Sequence, residues 1–237
     1  VVDDMLYQTW LEAEKRPFEG FDFSYFKDKC LEEQPPWSYP ALARQEMVSG
    51  IGSVLDIGTG GAEMLLTLQD VFPRKVVALE GHPPNLKLAR ERLVPFGGTA
   101  LEFGAQEELR MPLEDASFDL VLDRHMAYDI ADVERVLRPG GCFLTQQVDG
   151  RNMDDLSAHF ECEQQWTYFT LDYALEKLHT RSNLIVERAE EWKGRIIFYD
   201  VATLVYFIQA VPWLIDGELV FAERRFMILA RKANPEK

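Results

Sequence analysis

The sequence predicts an α/β domain built on a largely parallel sheet with helices on both faces. Three observations carry this expectation. Short apolar runs alternate with amphipathic ones from about residue 51 to residue 148, the pattern of successive strand–helix units. The first apolar run ends in an acid and a glycine cluster, as a strand does where it turns sharply into a helix. Hydrophobic residues make up 47% and charged residues 27% of the 237 residues, enough apolar material for a sizeable core without disulfides or metals.

The elements follow in order. Residues 1–50 read as helical with breaks. Leu6, Trp10 and Ala13 recur at roughly helical spacing, Pro17, Gly20, Pro35 and Pro36 interrupt, and Ser38 before Tyr39-Pro40 marks the start of a helix running to about Val48. Strands are then expected at Ser53–Ile57, Lys75–Leu79, Ala100–Phe103, Phe118–Leu122 and Cys142–Val148, the last after a Pro139-Gly140-Gly141 turn. Helices fall between them at Ala62–Val71, Asn85–Val94 and Ile130–Leu137, with Pro83-Pro84 opening the second, where a missing N–H does no harm. Beyond residue 150, Asn152–Phe160 and Leu171–Thr180 read as helices, Leu184–Trp192 as a strand, Val201–Val211 as a buried helix and Glu218–Leu229 as a last, antiparallel strand. The domain organisation expected is an N-terminal helical lid over residues 1–50 and a main domain over 51–237, in which 151–217 supplies substrate-cover elements.

Charge and cysteine usage narrow the function. With 25 basic and 40 acidic residues the net charge is −15. Nucleic-acid binding draws most of its affinity from clustered Lys and Arg, and the densest groups, Arg90/Arg92 and Arg224/Arg225, each sit beside a Glu. A nucleic-acid substrate is therefore disfavoured. Cys30, Cys142 and Cys162 are too few and too scattered for a disulfide framework or a metal site. The longest apolar stretch, Val201–Ile215, is shorter than the ~20 residues of a membrane span and contains Thr203, Gln209 and Pro212. No signal peptide is read, and a cytoplasmic location is the expectation.

The strongest chemical signal is the run Val54-Leu55-Asp56-Ile57-Gly58-Thr59-Gly60-Gly61-Ala62-Glu63. Its glycines let a ligand approach the backbone, and the helix that follows offers free N–H groups at the crevice of an open α/β sheet. A dinucleotide fingerprint requires a third glycine where Glu63 stands. Asp56 suits a ligand with a cationic amino-acid portion. Glu80 ends the second strand, 22 residues after Gly58, where an acid can accept hydrogen bonds from ribose hydroxyls.

The segments VLDIGTGGAE (54–63), VVALEGHPPN (76–85), MPLEDASFDLVLDRH (111–125) and VERVLRPGGCFLTQQV (133–148) together resemble the ordered motifs of class I S-adenosylmethionine (SAM)-dependent methyltransferases. The likeness is strongest to the branch that includes ubiquinone- and menaquinone-type and other small-molecule enzymes, and it covers about residues 52–148. It implies a Rossmann-like, seven-stranded sheet and methyl transfer from SAM to a small molecule, giving S-adenosylhomocysteine, with no metal. An RNA methyltransferase and a non-catalytic SAM-binding regulatory protein are the alternatives. The resemblance places Asp56, Gly58 and Gly60 along the methionine end of SAM, with Thr59 and Gly81 also in the cofactor set, and Glu80 on the ribose. In the family an acid in a Gly-Asp-Ala phrase often meets the adenine; here the phrase is Gly104-Ala105-Gln106-Glu107, leaving Gln106 and Glu107 as alternatives. Asp123 and Arg124 fall where cofactor and substrate meet.

The flanks PPWSY (35–39), RHMAYD (124–129), FLTQQV (143–148) and DVATLVYFIQAVPW (200–213) are similar to a group of bacterial methyltransferases that carries a longer segment before the last strand than Leu214–Gly217. Methyl transfer from a sulfonium depends chiefly on alignment, and a base is needed only for a nucleophile that must lose a proton. His125, at a strand end and able to titrate near neutrality, is the candidate base, with a loop-shaping histidine as the alternative. Trp37, Tyr39, Arg124, Tyr128 and Gln146 are the candidate substrate contacts; for the two aromatics before the first strand, packing of the lid is the alternative reading.

Overall fold

The computed structural model describes residues 4–15, 27–104, 110–159, 164, 166–210 and 219–234. The chain runs α1 (Asp4–Glu14), β1 (Cys30–Glu32), α2 (Tyr39–Val48), β2 (Ser53–Ile57), α3 (Glu63–Leu66), β3 (Lys75–Glu80), α4 (Pro83–Leu93), β4 (Thr99–Glu102), β5 (Phe118–Arg124), α5 (Ile130–Val136), β6 (Leu137–Val148), α6 (Asp154–His159), α7 (Leu171–Arg181), β7 (Leu184–Phe198), α8 (Val201–Ala210) and β8 (Leu219–Lys232).

The strands form one sheet in the order β1-β7-β8-β6-β5-β2-β3-β4. β2 through β6 pair in parallel, and β8 enters antiparallel between β6 and β7. The seven-stranded arrangement expected from the sequence gains an eighth, because Cys30–Glu32 pairs antiparallel with the far end of β7. A three-residue strand interrupted by nearby prolines has too short an alternation to read in sequence. Two other differences have physical reasons. β6 runs straight through Pro139-Gly140-Gly141, and its pairing with β5 shifts register between Phe118 and Leu120, so the turn chemistry is absorbed as an irregularity within a strand. β7 continues past Trp192 to Phe198 because β8 pairs with it along its length.

Side chains alternate across the sheet, so each strand feeds two cores. Leu120 and Leu122 of β5 join Val54, Leu144 and the inner faces of α2, α3 and α4 in one cluster. Val121 joins Leu55, Ile57, Phe143, α5 and α7 in the other. Full burial of such a leucine is worth about 1.5–3 kcal/mol, so these two clusters fix the strand ends on which the site is built. A third cluster packs α1 against α8 and the end of β7 through Ala13, Phe198, Leu204 and Tyr206. α2 starts as read: Ser38 Oγ accepts a hydrogen bond from the Ala41 N–H at 3.3 Å, a cap worth about 1 kcal/mol.

Candidate active site

The strand order reverses between β2 and β5: the chain moves outward through β3 and β4, then returns to pair β5 on the other side of β2. Beyond the carboxyl ends of these strands an open α/β sheet has its crevice, and the glycine turn lies there. Gly58 has φ +68° and Gly60 φ +61°, left-handed values that favour glycine. The Gly58 and Thr59 N–H groups both donate to the Leu79 carbonyl, at 2.9 and 3.0 Å, tying the turn to β3. A Cβ on Gly58 would stand 2.6 Å from Met126 Cβ, so the loop after β5 closes directly onto the turn. Met126 also reaches Gly104 at the end of β4.

Three carboxylates ring this turn. Glu80 is nearly buried, at 8% exposure; its Oε2 accepts the Gly60 N–H and its Oε1 the His82 N–H, both at 2.7 Å. Gly81 lies between these contacts. Asp56 is buried, and that burial pushes its pKa up to about 7 despite the opposing influence of the Thr59 hydroxyl and the Arg124 charge. Asp123 is fully buried, and burial drives its pKa well above the carboxylate range, with the charge of Asp56 adding to the rise. Its Oδ1 accepts from the Met126 N–H at 3.1 Å and the Gln147 amide at 3.0 Å, while Oδ2 is buried without a hydrogen-bond partner among the described residues. Among the described residues neither aspartate forms an ion pair. Two buried acids short of positive charge beside a glycine turn make a receptor for a cation.

The strand registers sort the remaining candidates onto two faces. Asp56 pairs with Leu122, and Arg124 with Gln146, on the α2 side; Asp123 pairs with Thr145 on the α5 side. Trp37 Nε1 donates to Gln146 Oε1 at 2.8 Å and the Tyr39 hydroxyl to the Leu144 carbonyl at 3.3 Å. All three candidate side chains are buried, so they fasten the segment before residue 51 to the sheet, and none of them lines the large cavity described below. Arg124 is exposed and near Asp56 in charge; the surrounding protein, then the charge of Arg225, lowers its pKa. Gln106 and Glu107 lie outside the described residues.

His125 adopts φ +67°, and its N–H donates to the Gln146 carbonyl at 2.9 Å. Its Nε2 lies 3.3 Å from the Gln146 side-chain nitrogen. Because the Trp37 N–H fixes the oxygen end of that amide, the nitrogen end faces His125 as donor. His125 Nε2 therefore accepts, and the proton of the neutral ring sits on Nδ1. Surrounding protein, then the charges of Arg124 and Arg225, push the imidazole pKa down to about 3. The residue nonetheless opens to solvent within a cavity, which softens the depression but leaves the ring neutral at neutral pH. The base read from the sequence thus presents itself as a hydrogen-bond donor.

Beside the turn lies a cavity of about 820 Å³, walled by His125, Met126 and Tyr128 from the loop after β5, Gln147 and Asp149 from β6 and its end, and Tyr173 of α7 among others. Of the two adjacent glutamines near the end of β6, Gln147 is the one that faces Asp123; which of them does so depends on the phase of β6, which sequence leaves open. Tyr128, a candidate, stands against Phe143 with ring centroids 5.1 Å apart.

Residues 55–145 match the family described as a methyltransferase domain. A probable phthiotriol/phenolphthiotriol dimycocerosates methyltransferase of Mycobacterium ulcerans is 28% identical over 156 residues, covering 62% of this chain and 57% of that protein. A demethylmenaquinone methyltransferase of Deinococcus radiodurans is 31% identical over 109 residues, 43% of this chain and 45% of the other. The chain thus spans about half the length of these curated relatives. A solved SAM-dependent methyltransferase of Aquifex aeolicus superposes with a TM-score of 0.52 at 17% identity, the match covering 89% of this chain and 98% of that one, a likeness of fold. Strand order, glycine turn and sequence match agree: residues 55–145 match the methyltransferase domain family, on a sheet that shares its fold with solved methyltransferases.

Proposed function

We propose that this chain transfers the methyl group of SAM to a small molecule, leaving S-adenosylhomocysteine. The observation that carries the reading is the pair of buried, cation-poor carboxylates, Asp56 and Asp123, flanking a glycine turn at the switch point of the sheet. The donor set fits SAM: the orphaned Asp123 Oδ2 and Asp56 suit its cationic amino-acid portion, the turn admits close approach of backbone, and Glu80, whose oxygens keep acceptor capacity beyond their two N–H bonds, suits ribose hydroxyls. When bound, SAM supplies an activated methyl group on a sulfonium.

The chain's own contribution is binding, alignment and exclusion of water. Glu80 holds the turn through Gly60. Gln147 ties Asp123 to the Met126 loop, fixing one wall between turn and cavity. His125 offers an N–H with which to orient the acceptor. α2 packs on one face of the sheet, and described residues between Asn152 and Arg181 help wall the cavity. Among the described residues no helix is long and apolar enough to cross a membrane. The relatives named for lipid and quinone substrates, and the −15 charge, support a small-molecule acceptor over RNA. Incubation with methyl-labelled SAM and a cell extract, split into small-molecule, protein and RNA fractions, tests this. Label in the small-molecule fraction is expected; label confined to RNA or protein overturns it.

A further inference from the structure

We propose that the 820 Å³ cavity receives an acceptor with an apolar ring or chain and an anionic group, and that Lys177 and Arg181 of α7 hold the anion; this rests on the methyl-transfer reading above. The cavity is distinct from the glycine turn: Asp56, Gly58 and Glu80 do not line it, while Met126 packs on Gly58 and lines the cavity from the other side. Its size suits a drug-sized molecule. Its walls are more apolar than polar and carry a group of aromatic rings, Tyr128, Trp166, Phe169 and Tyr173 among them, which favours an acceptor with an apolar ring or chain.

The charge argument comes from α7. Tyr173, Lys177 and Arg181 are spaced i, i+4, i+8 and form one stripe facing the cavity. The neighbouring stripe buries Ala174 and Leu178 against the sheet. Lys177 is half-buried, and the one interaction of its ammonium among the described residues is with the Tyr173 ring, 5.0 Å away. The chain has 40 acidic side chains against 25 basic, yet among the described residues no acid pairs with this ammonium. Attraction to the helix dipole does not explain it, because the basic residues of the last turn are His179 and Arg181. Arg181 meets Asp129 at only 3.5 Å, and Asp129 already caps α5 through the Ala131 N–H. The polar groups of the opposite wall are spoken for: Asp149 is paired with Arg151, and Asn152 accepts from the Arg224 N–H. An incoming carboxylate, sulfate or phosphate therefore finds its counter-charge at α7, at the edge of an aromatic pocket.

Two fluorescent probes with the same ring system test this on the full chain: 1-anilinonaphthalene-8-sulfonate and uncharged N-phenyl-1-naphthylamine. The sulfonate should bind the wild type about tenfold or more tightly than the neutral probe. Lys177→Met should abolish that preference while leaving the neutral probe's affinity within about twofold, and Lys177→Arg should restore it. Equal binding of the two probes by the wild type, no binding of either, or a preference untouched by Lys177→Met would overturn the proposal. A thermal shift with SAM on the same samples keeps the two readings apart. A SAM shift without the sulfonate preference sinks the pocket assignment alone; a Lys177-dependent preference without a SAM shift leaves an anion pocket and sinks methyl transfer.

Discussion

Replacing Asp56 by asparagine should make the unliganded protein increasingly more stable than wild type as the pH rises, by an amount set by the burial of its carboxyl. Burial raises the group from 3.8 to about 7 in the folded chain. The folded state therefore binds this proton more tightly than the unfolded chain does. The group's contribution to stability is complete below about pH 4 and is lost as the pH rises to about 7; a difference of about 3 units corresponds to about 4 kcal/mol at ~1.36 kcal/mol per unit. Asparagine keeps the shape and does not titrate. Its buried amide carries a desolvation cost of its own, but that cost is independent of pH. The gap between variant and wild type should thus widen by up to about 4 kcal/mol between about pH 4 and pH 8. Asp123 titrates in both proteins and largely cancels in the difference. Urea unfolding at half-unit steps of pH measures it directly. Parallel stability curves would refute the reasoning, because they would mean that Asp56 is already ionised and compensated in the folded chain. The same substitution should weaken SAM binding, so stability and affinity move in opposite directions.

Further substitutions probe the rest of the turn. Gly58→Ala places a Cβ at φ +68° and 2.6 Å from Met126 Cβ, and should cost about 2–4 kcal/mol in a thermal or urea melt; because the clash is with Cβ, adding Met126→Ala should not relieve it, whereas Met126→Gly should. Glu80→Ala removes the acceptor of two short N–H bonds and should both destabilise the free protein by about 2–4 kcal/mol and weaken SAM binding at least tenfold; unchanged SAM affinity in calorimetry would remove Glu80 from the ribose site. Since the imidazole of His125 is held neutral, with its pKa near 3, the pH–rate profile should lack an inflection between about pH 5.5 and 8 that His125→Asn abolishes. Finding one would restore His125 as a base.

Sequence located the turn because its chemistry is local. Asp56, Gly58, Gly60 and Glu80 are each identified by their place at a strand end, and the strands carrying them are short apolar runs between clear helical signals. Asp123 was legible for the same reason. What sequence could not fix depended on contacts between distant segments. Trp37, Tyr39 and Gln146 share one buried patch only because the segment before residue 51 folds back on β6, which turns three candidate substrate contacts into anchors. Gln147 meets Asp123 rather than solvent because of the phase of β6. Lys177 and Tyr173 lie far along the chain in a helix whose pattern reads as ordinary amphipathic surface, with nothing local to mark a cavity. Val201–Ala210, a buried helix from its apolar run, packs on α1 and β7.

The central claim, that the crevice between β2 and β5 is a SAM site, is tested most directly by calorimetric titration of the wild-type chain with SAM, S-adenosylhomocysteine and NAD at pH 6 and pH 8. Saturable one-to-one binding of both sulfur ligands and none of NAD is predicted. SAM should bind more tightly at the higher pH, because a raised Asp56 must lose its proton to meet a cation. No heat with either sulfur ligand, or tighter binding of NAD, would contradict the account.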